Sequence, residues 1–174
     1  DMVAERCTEC RHCLVACPTA AIRVRDARPA VLHHLCIDCT ACIGACAPRA
    51  LTMTDAPGAL AGGDVLVAPP ALLAGFGDHP VREVIEELRG LGYDEIVSVH
   101  HYEDALRREL IALAATGDGP APLISPVCPA VVNLIEVRFP SLIAHLAPFA
   151  SPWEAAQLAL DGRAATYAVS CPSQ

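Results

Sequence analysis

The chain has 174 residues, a hydrophobic fraction of 53% and a net charge of −8, from 12 basic and 20 acidic residues. That length allows one to two domains, and that hydrophobic fraction is enough for a packed core, which excludes a disordered chain. The acidic balance argues against nucleic acid or an anionic membrane as a partner; all the basic residues are arginine, and the chain has no lysine.

Of the 10 cysteines, eight fall in two runs near the start. Cys7, Cys10, Cys13 and Cys17 form a C-x₂-C-x₂-C-x₃-C pattern, and Cys36, Cys39, Cys42 and Cys46 repeat it 36 − 7 = 29 residues later. Thiolate sulfur selects iron–sulfur clusters, zinc or copper(I). Three cysteines spaced by two wrap three corners of a cubane, and the fourth opens a helical turn directed at the neighbouring cluster. The expected sharing is therefore crossed. Cys7, Cys10, Cys13 and Cys46 would hold one [4Fe–4S] cluster, and Cys36, Cys39, Cys42 and Cys17 a second. Zinc is the other reading, but zinc sites pair two cysteine knuckles and have no use for a three-plus-one pattern. A disulfide scaffold would carry a higher density of cysteines, dispersed along the chain.

After each run comes a stretch of period two, Ile22 and Val24 in the first and Leu51 and Met53 in the second, which predicts half-buried strands. Pro18 follows Cys17 directly and ends its helical turn, whereas in the second run the proline, Pro48, comes one residue later. About fifty residues build little core, so the metal must supply folding energy. These features place a small module at residues 1–56. It resembles the bacterial two-cluster ferredoxins, a resemblance that implies one-electron transfer between two nearby cubanes.

Residues 57–63 predict a linker rich in alanine and glycine. An apolar run, Val65 to Ala68, then suits a buried parallel strand. Val81, Val84, Ile85 and Leu88 have helical spacing, ended by Gly90 and Gly92. Further on, Glu95–Val99 reads as a strand, Glu103–Ala115 as a helix closed by Gly117, and Leu123–Ser125 as a short strand. Pro129–Arg138 reads as a helix, Ser141–Leu146 and Pro152–Leu160 as shorter ones, and Thr166–Ser170 as a last strand. Alternating elements predict a parallel sheet with helices on its faces. The expected fold is thus an α+β, ferredoxin-like two-cluster module at 1–56, then a partial α/β domain at 64–174.

Two cysteines remain. Cys128 and Cys171 each follow a predicted strand, at the edge where open parallel sheets bind ligands. Cys128 also precedes Pro129, which suits the first position of a helix. The other reading is two small buried hydrophobes. The stretch Ile124-Ser125-Pro126-Val127-Cys128-Pro129-Ala130-Val131 resembles the first signature of the iron-only ([FeFe]) hydrogenase catalytic domain. Ser170-Cys171-Pro172-Ser173-Gln174 resembles its second. The resemblance implies that Cys128 and Cys171 are the first two of four ligands to a third cubane, the centre of a hydrogenase-type cluster in the whole protein.

The chain departs from that pattern at three positions. Val127 stands where the family has a proton-relaying cysteine, Val131 where it has a tryptophan, and Gln174 where a lysine donates to the two-iron subsite. Gln donates a hydrogen bond but carries no charge. The departures resemble the divergent, sensory branch of the family, in which signalling modules follow. The alternative is a non-catalytic redox module whose α/β domain docks a partner.

Of the histidines, His12 reads as an exposed loop residue. The pairs His33-His34 and His100-His101 would point to opposite faces of a strand and build no site. Glu103 and Asp104 read as a hydrated helix face. No apolar run is long enough to span a membrane. Reduced thiols and no export signal imply the cytoplasm, with a redox protein as partner. A start at Asp1 without methionine is expected of a fragment.

Overall fold

The computed structural model describes residues 2–53, 63–117 and 119–168. By packing, residues 2–53 and 130–143 form one compact unit, and the other described residues a second. The linker expected at 57–63 lies outside the described residues up to its last glycine, and so do Cys171 and Gln174.

The first unit is built twice over from one plan. A 3₁₀ turn (Ala4–Arg6) leads into the first cysteine run and helix α1 (His12–Ala16). A second 3₁₀ turn (His33–Leu35) leads into the second run and helix α2 (Ala41–Gly44). Between them lies an antiparallel hairpin of β1 (Ile22–Arg25) and β2 (Arg28–Val31), in register Ile22 with Val31. β1 falls where period two predicts it. β2 was not foreseen, because Arg28-Pro29 reads as loop; proline is tolerated there as on any edge strand. The strand expected at Leu51–Met53 is reduced to one antiparallel bridge, Leu51 with Met2. Its partner segment turns into the 3₁₀ helix at Ala4, so no longer ladder forms. Cys13, Ile22 and Leu51 centre the core, packed by Cys17, Cys42 and Cys46. The cysteines are thus part of the core itself.

The second unit is organised around β3 (Gly63–Ala68), the middle strand of a parallel sheet in the order β4-β3-β5, with β4 at Tyr93–Ser98 and β5 at Ala165–Tyr167. Its helices are α3 (Pro70–Ala74), α4 (Val81–Gly90), α5 (His100–Thr116) and α7 (Pro152–Ala159). Alternation along β3 divides its side chains between the two faces. Leu66 packs with Val84 and Leu88 of α4 and with Tyr93, while Val65 and Val67 pack with Val99 and with Trp153 and Ala156 of α7. Val65, Leu66 and Val67 are fully buried, each worth about 1.5–3 kcal/mol over an exposed position. This is why the strand reads as an unbroken apolar run.

Three predicted elements differ. The strand at Leu123–Ser125 is a single parallel bridge, Ile124 with Leu146, outside the three-stranded sheet. The helix at Ser141–Leu146 is a 3₁₀ segment, Pro140–His145. His100 and His101 open α5 instead of lying on a strand, and His100 sits 3.6 Å from Asp104 one turn on. Helix α6 (Pro129–Arg138) groups from Ala130 onward with the first unit.

Candidate metal centre

The repeat in sequence becomes a repeat in backbone conformation. Among the described residues nine other than glycine have positive φ, and six of them form three pairs at the 29-residue offset: Glu9 with Asp38, Arg11 with Thr40, Ala20 with Arg49. A left-handed conformation costs a residue with a Cβ about 1–2 kcal/mol. Such strain persists only where the surrounding structure fixes it, and it gathers at functional sites. Four of the six flank the second cysteine of each run, Cys10 or Cys39. Turns that include left-handed residues are where anion-binding nests form.

The hydrogen bonds repeat as well. Cys7 donates its amide to the carbonyl of Ala4 and Cys36 to that of His33, both at 3.2 Å. Ala21 donates its amide to Cys17 Sγ, and Ala50 donates its amide to Cys46 Sγ, again both at 3.2 Å. Ala21 and Ala50 are buried. Each fourth cysteine therefore has a fixed backbone donor on its sulfur.

Two cavities lie beside these turns. One, of about 70 Å³, is bordered by Cys7, Cys10, Cys13 and Cys46. The other, of about 50 Å³, is bordered by Cys17, Cys36, Cys39 and Cys42. A single water needs about 10–15 Å³ measured this way, so each space admits a polyatomic group. Four thiols border each space. Four soft sulfurs around a cavity, with backbone amides bonded to Cys17 and Cys46 sulfur, fit a sulfur-ligated anionic cluster.

The thiols differ in their electrostatics. Burial pushes Cys13 and Cys42 up. It also pushes Cys36 up, and the Asp38 carboxylate, 3.5 Å from its sulfur, adds to the rise. Exposed Cys10 is held down by the backbone amide of His12 and then by Thr8. At Cys17 burial acts upward, but hydrogen bonds from Thr19 and Ala21 outweigh it and the net direction is down.

Cys128 is half-buried and immediately precedes α6. Neighbouring Val127 is 42% exposed, and its amide donates to Ser125 Oγ at 3.3 Å. Cys171 falls outside the described residues. His12, His33 and His34 are exposed and border neither cavity. Thr19 and the amides of Ala21 and Ala50 escaped sequence reasoning. The equal distance from the last cysteine of each run to its alanine, Cys17 to Ala21 and Cys46 to Ala50, is the signal that marks the amides.

Comparison with known families agrees with this geometry. Residues 2–47 match the family model for a 4Fe-4S dicluster domain. Residues 65–160, more than half of the chain, match that for the iron only hydrogenase large subunit, C-terminal domain. No curated protein matches the chain. The four-thiol cavities and the two matches together make this an iron–sulfur protein of the electron-transfer kind. By the longer match, the chain belongs to the family of the iron only hydrogenase large subunit, C-terminal domain.

Proposed function

We propose that the chain carries two [4Fe–4S] clusters with crossed ligation. Cys7, Cys10, Cys13 and Cys46 hold the first, and Cys36, Cys39, Cys42 and Cys17 the second. The observation that supports this is the lining of the two cavities, each bordered by three cysteines of one run and the last cysteine of the other. When bound, each cluster carries one electron at a time at a potential set by charge, hydrogen bonds and exposure. The chain's own residues supply those controls. Left-handed residues Glu9, Arg11, Asp38 and Thr40 set the turns around Cys10 and Cys39. Ala21 and Ala50 fix the fourth sulfurs. Ile22 and Leu51, both buried, keep water from the inner side of the sites.

In this reading the module exchanges electrons with a redox partner protein and serves the hydrogenase-like domain, in which Cys128 and Cys171 are ligands of a third site. That site senses redox state or hydrogen, or belongs to a divergent hydrogenase, with signalling modules downstream in the longer protein. An exposed valine at position 127 carries no proton, which favours sensing over rapid turnover. Reduced thiols imply a reducing compartment such as the cytoplasm, and among the described residues no helix is long and apolar enough to cross a membrane.

The test is iron and acid-labile sulfide content after anaerobic reconstitution, followed by EPR of the reduced protein. Two interacting cubanes per chain are expected. Zinc without sulfide would sink the proposal, and iron for a third cubane would mean that Cys128 finds further ligands within this chain.

A further inference from the structure

The offset that superposes the two cysteine runs pairs Thr19 with Pro48, since 48 − 19 = 29. Thr19 borders the cavity of Cys17, Cys36, Cys39 and Cys42, and Pro48 borders the other one. Thr19 is buried, at 2% exposure. Its Oγ1 lies 3.6 Å from Cys17 Sγ. A buried hydroxyl left without a partner costs about 1–3 kcal/mol, and here the partner is the sulfur. A thiol and a hydroxyl share one proton between them in either direction. A sulfur bound to iron is a thiolate and has none to give, so the hydroxyl must then be the donor.

The backbone donors on the two fourth cysteines match, since Ala21 serves Cys17 and Ala50 serves Cys46 at the same 3.2 Å. At the fourth cysteines the side-chain donor has no counterpart, because Pro48 has neither a hydroxyl nor an amide hydrogen; the side-chain donor of the first site, Thr8, acts on exposed Cys10 instead. A donor on a ligand sulfur draws off negative charge and favours the reduced, more negative state. The buried position keeps that effect from being screened by solvent. Other charges near the clusters, Arg11 at the first cavity and the exposed Asp38 beside Cys36, act on the order of the two potentials. They leave the effect of removing one hydroxyl separate.

We infer that Thr19 is a positioning residue that raises the reduction potential of one cluster only, by donating its hydroxyl to Cys17 Sγ, and that Pro48 leaves Cys46, the matching ligand of the other cluster, without such a donor. This rests on the crossed two-cluster reading above. It adds an inequality at the fourth cysteines to those that Thr8, Arg11 and Asp38 already set.

The test compares Thr19→Val and Thr19→Ser in the full reconstituted chain by EPR-monitored redox titration. With Thr19→Val, one of two midpoints should fall, by a roughly tenfold change in the oxidised-to-reduced ratio, or about 59 mV for one electron. The other midpoint should stay, and Thr19→Ser should restore the first. No movement, equal movement of both midpoints, or the same fall with serine would overturn the inference. Thr19→Ala, which also removes the hydroxyl, replaces valine if that variant assembles poorly. On transfer to deuterium oxide, iron–cysteine stretching bands should move more in the unsubstituted protein than in Thr19→Val, and equal shifts would overturn the inference. Lack of iron and sulfide in the unsubstituted protein would instead refute the cluster reading beneath it.

Discussion

The amide of Val3 donates to the carbonyl of Ala50 at 2.7 Å, tying the first residues of the chain to the far end of the second cysteine run. The same bond appears 29 residues on, from Leu32 to Ala21, also at 2.7 Å. Each repeat therefore fastens the other, and each fastening sits on the alanine whose amide serves a fourth cysteine. Val3→Pro removes the donor while φ at that position, −91°, is near what proline accepts. The buried carbonyl of Ala50 is left unpaired, at a cost of about 1–3 kcal/mol. The expected result is faster loss of iron to a chelator, with Leu32→Pro giving the mirror result. Unchanged chelation rates in both variants would show that these ties do not hold the sites.

Crossed ligation makes an unusual prediction for pairs of substitutions. Cys7→Ala with Cys46→Ala removes two ligands of one proposed cluster, so about half of the iron should remain if each site folds around its own metal. Cys7→Ala with Cys17→Ala removes one ligand from each, so both clusters should be impaired. Uncrossed ligation reverses the two outcomes. Iron and sulfide per chain, measured on both double variants side by side, separates the alternatives.

The cysteine spacing alone was enough to read the module, because three ligands in seven residues leave the backbone few ways to wrap a cluster. β3 was legible for a similar reason: Val65 to Ala68 is apolar throughout, as a strand covered on both faces must be. β2 was not legible, since its pairing depends on a turn made by Asp26 and Ala27 and its sequence begins with Arg28-Pro29. The strand at Leu123–Ser125 failed for the opposite reason. Its residues suit a strand, but Ile124 meets only Leu146, so local preference has no sheet to act through. His100 and His101 deceived because β4 stops at Ser98 and the helix begins two residues later. Thr19 could not be singled out either; its role depends on burial and on the approach of one sulfur, which spacing does not encode.

The hairpin turn offers a stabilising substitution. Asp26 and Ala27 both have positive φ, at 49° and 63°, as a two-residue turn between twisted strands requires. Aspartate tolerates that region, but alanine gains nothing there and pays the Cβ clash. Ala27→Gly relieves about 1–2 kcal/mol of that strain and returns part of it as unfolded-state entropy, for a net gain of about 1 kcal/mol. Thermal unfolding of the reconstituted protein should shift upward, and a downward shift would mean that the turn is not strained as described.

The cap of α7 makes the stability of the second unit depend on pH. Ser151 Oγ accepts the amide of Glu154 at 3.3 Å, and the Glu154 carboxylate accepts the amide of Ser151 at 2.7 Å, a reciprocal capping box. The helix it starts carries Trp153 and Ala156 into the core against β3. The bond from the Ser151 amide, and then that with its side chain, holds the Glu154 carboxyl below its ordinary 4.5. A carboxylate whose pKa is lower folded than unfolded adds stability above the unfolded value. That contribution is lost as pH falls through the folded value. Stability should therefore decline below about pH 4.5, and Glu154→Gln, which keeps an acceptor without a titrating charge, should flatten that part of the decline. Acid loss of the clusters is common to both proteins and cancels in the comparison. Ser151→Ala should cost about 0.5–2 kcal/mol at neutral pH. Urea unfolding followed by Trp153 fluorescence at several pH values checks both. Equal pH profiles for the parent and Glu154→Gln would show that the box contributes nothing to acid sensitivity.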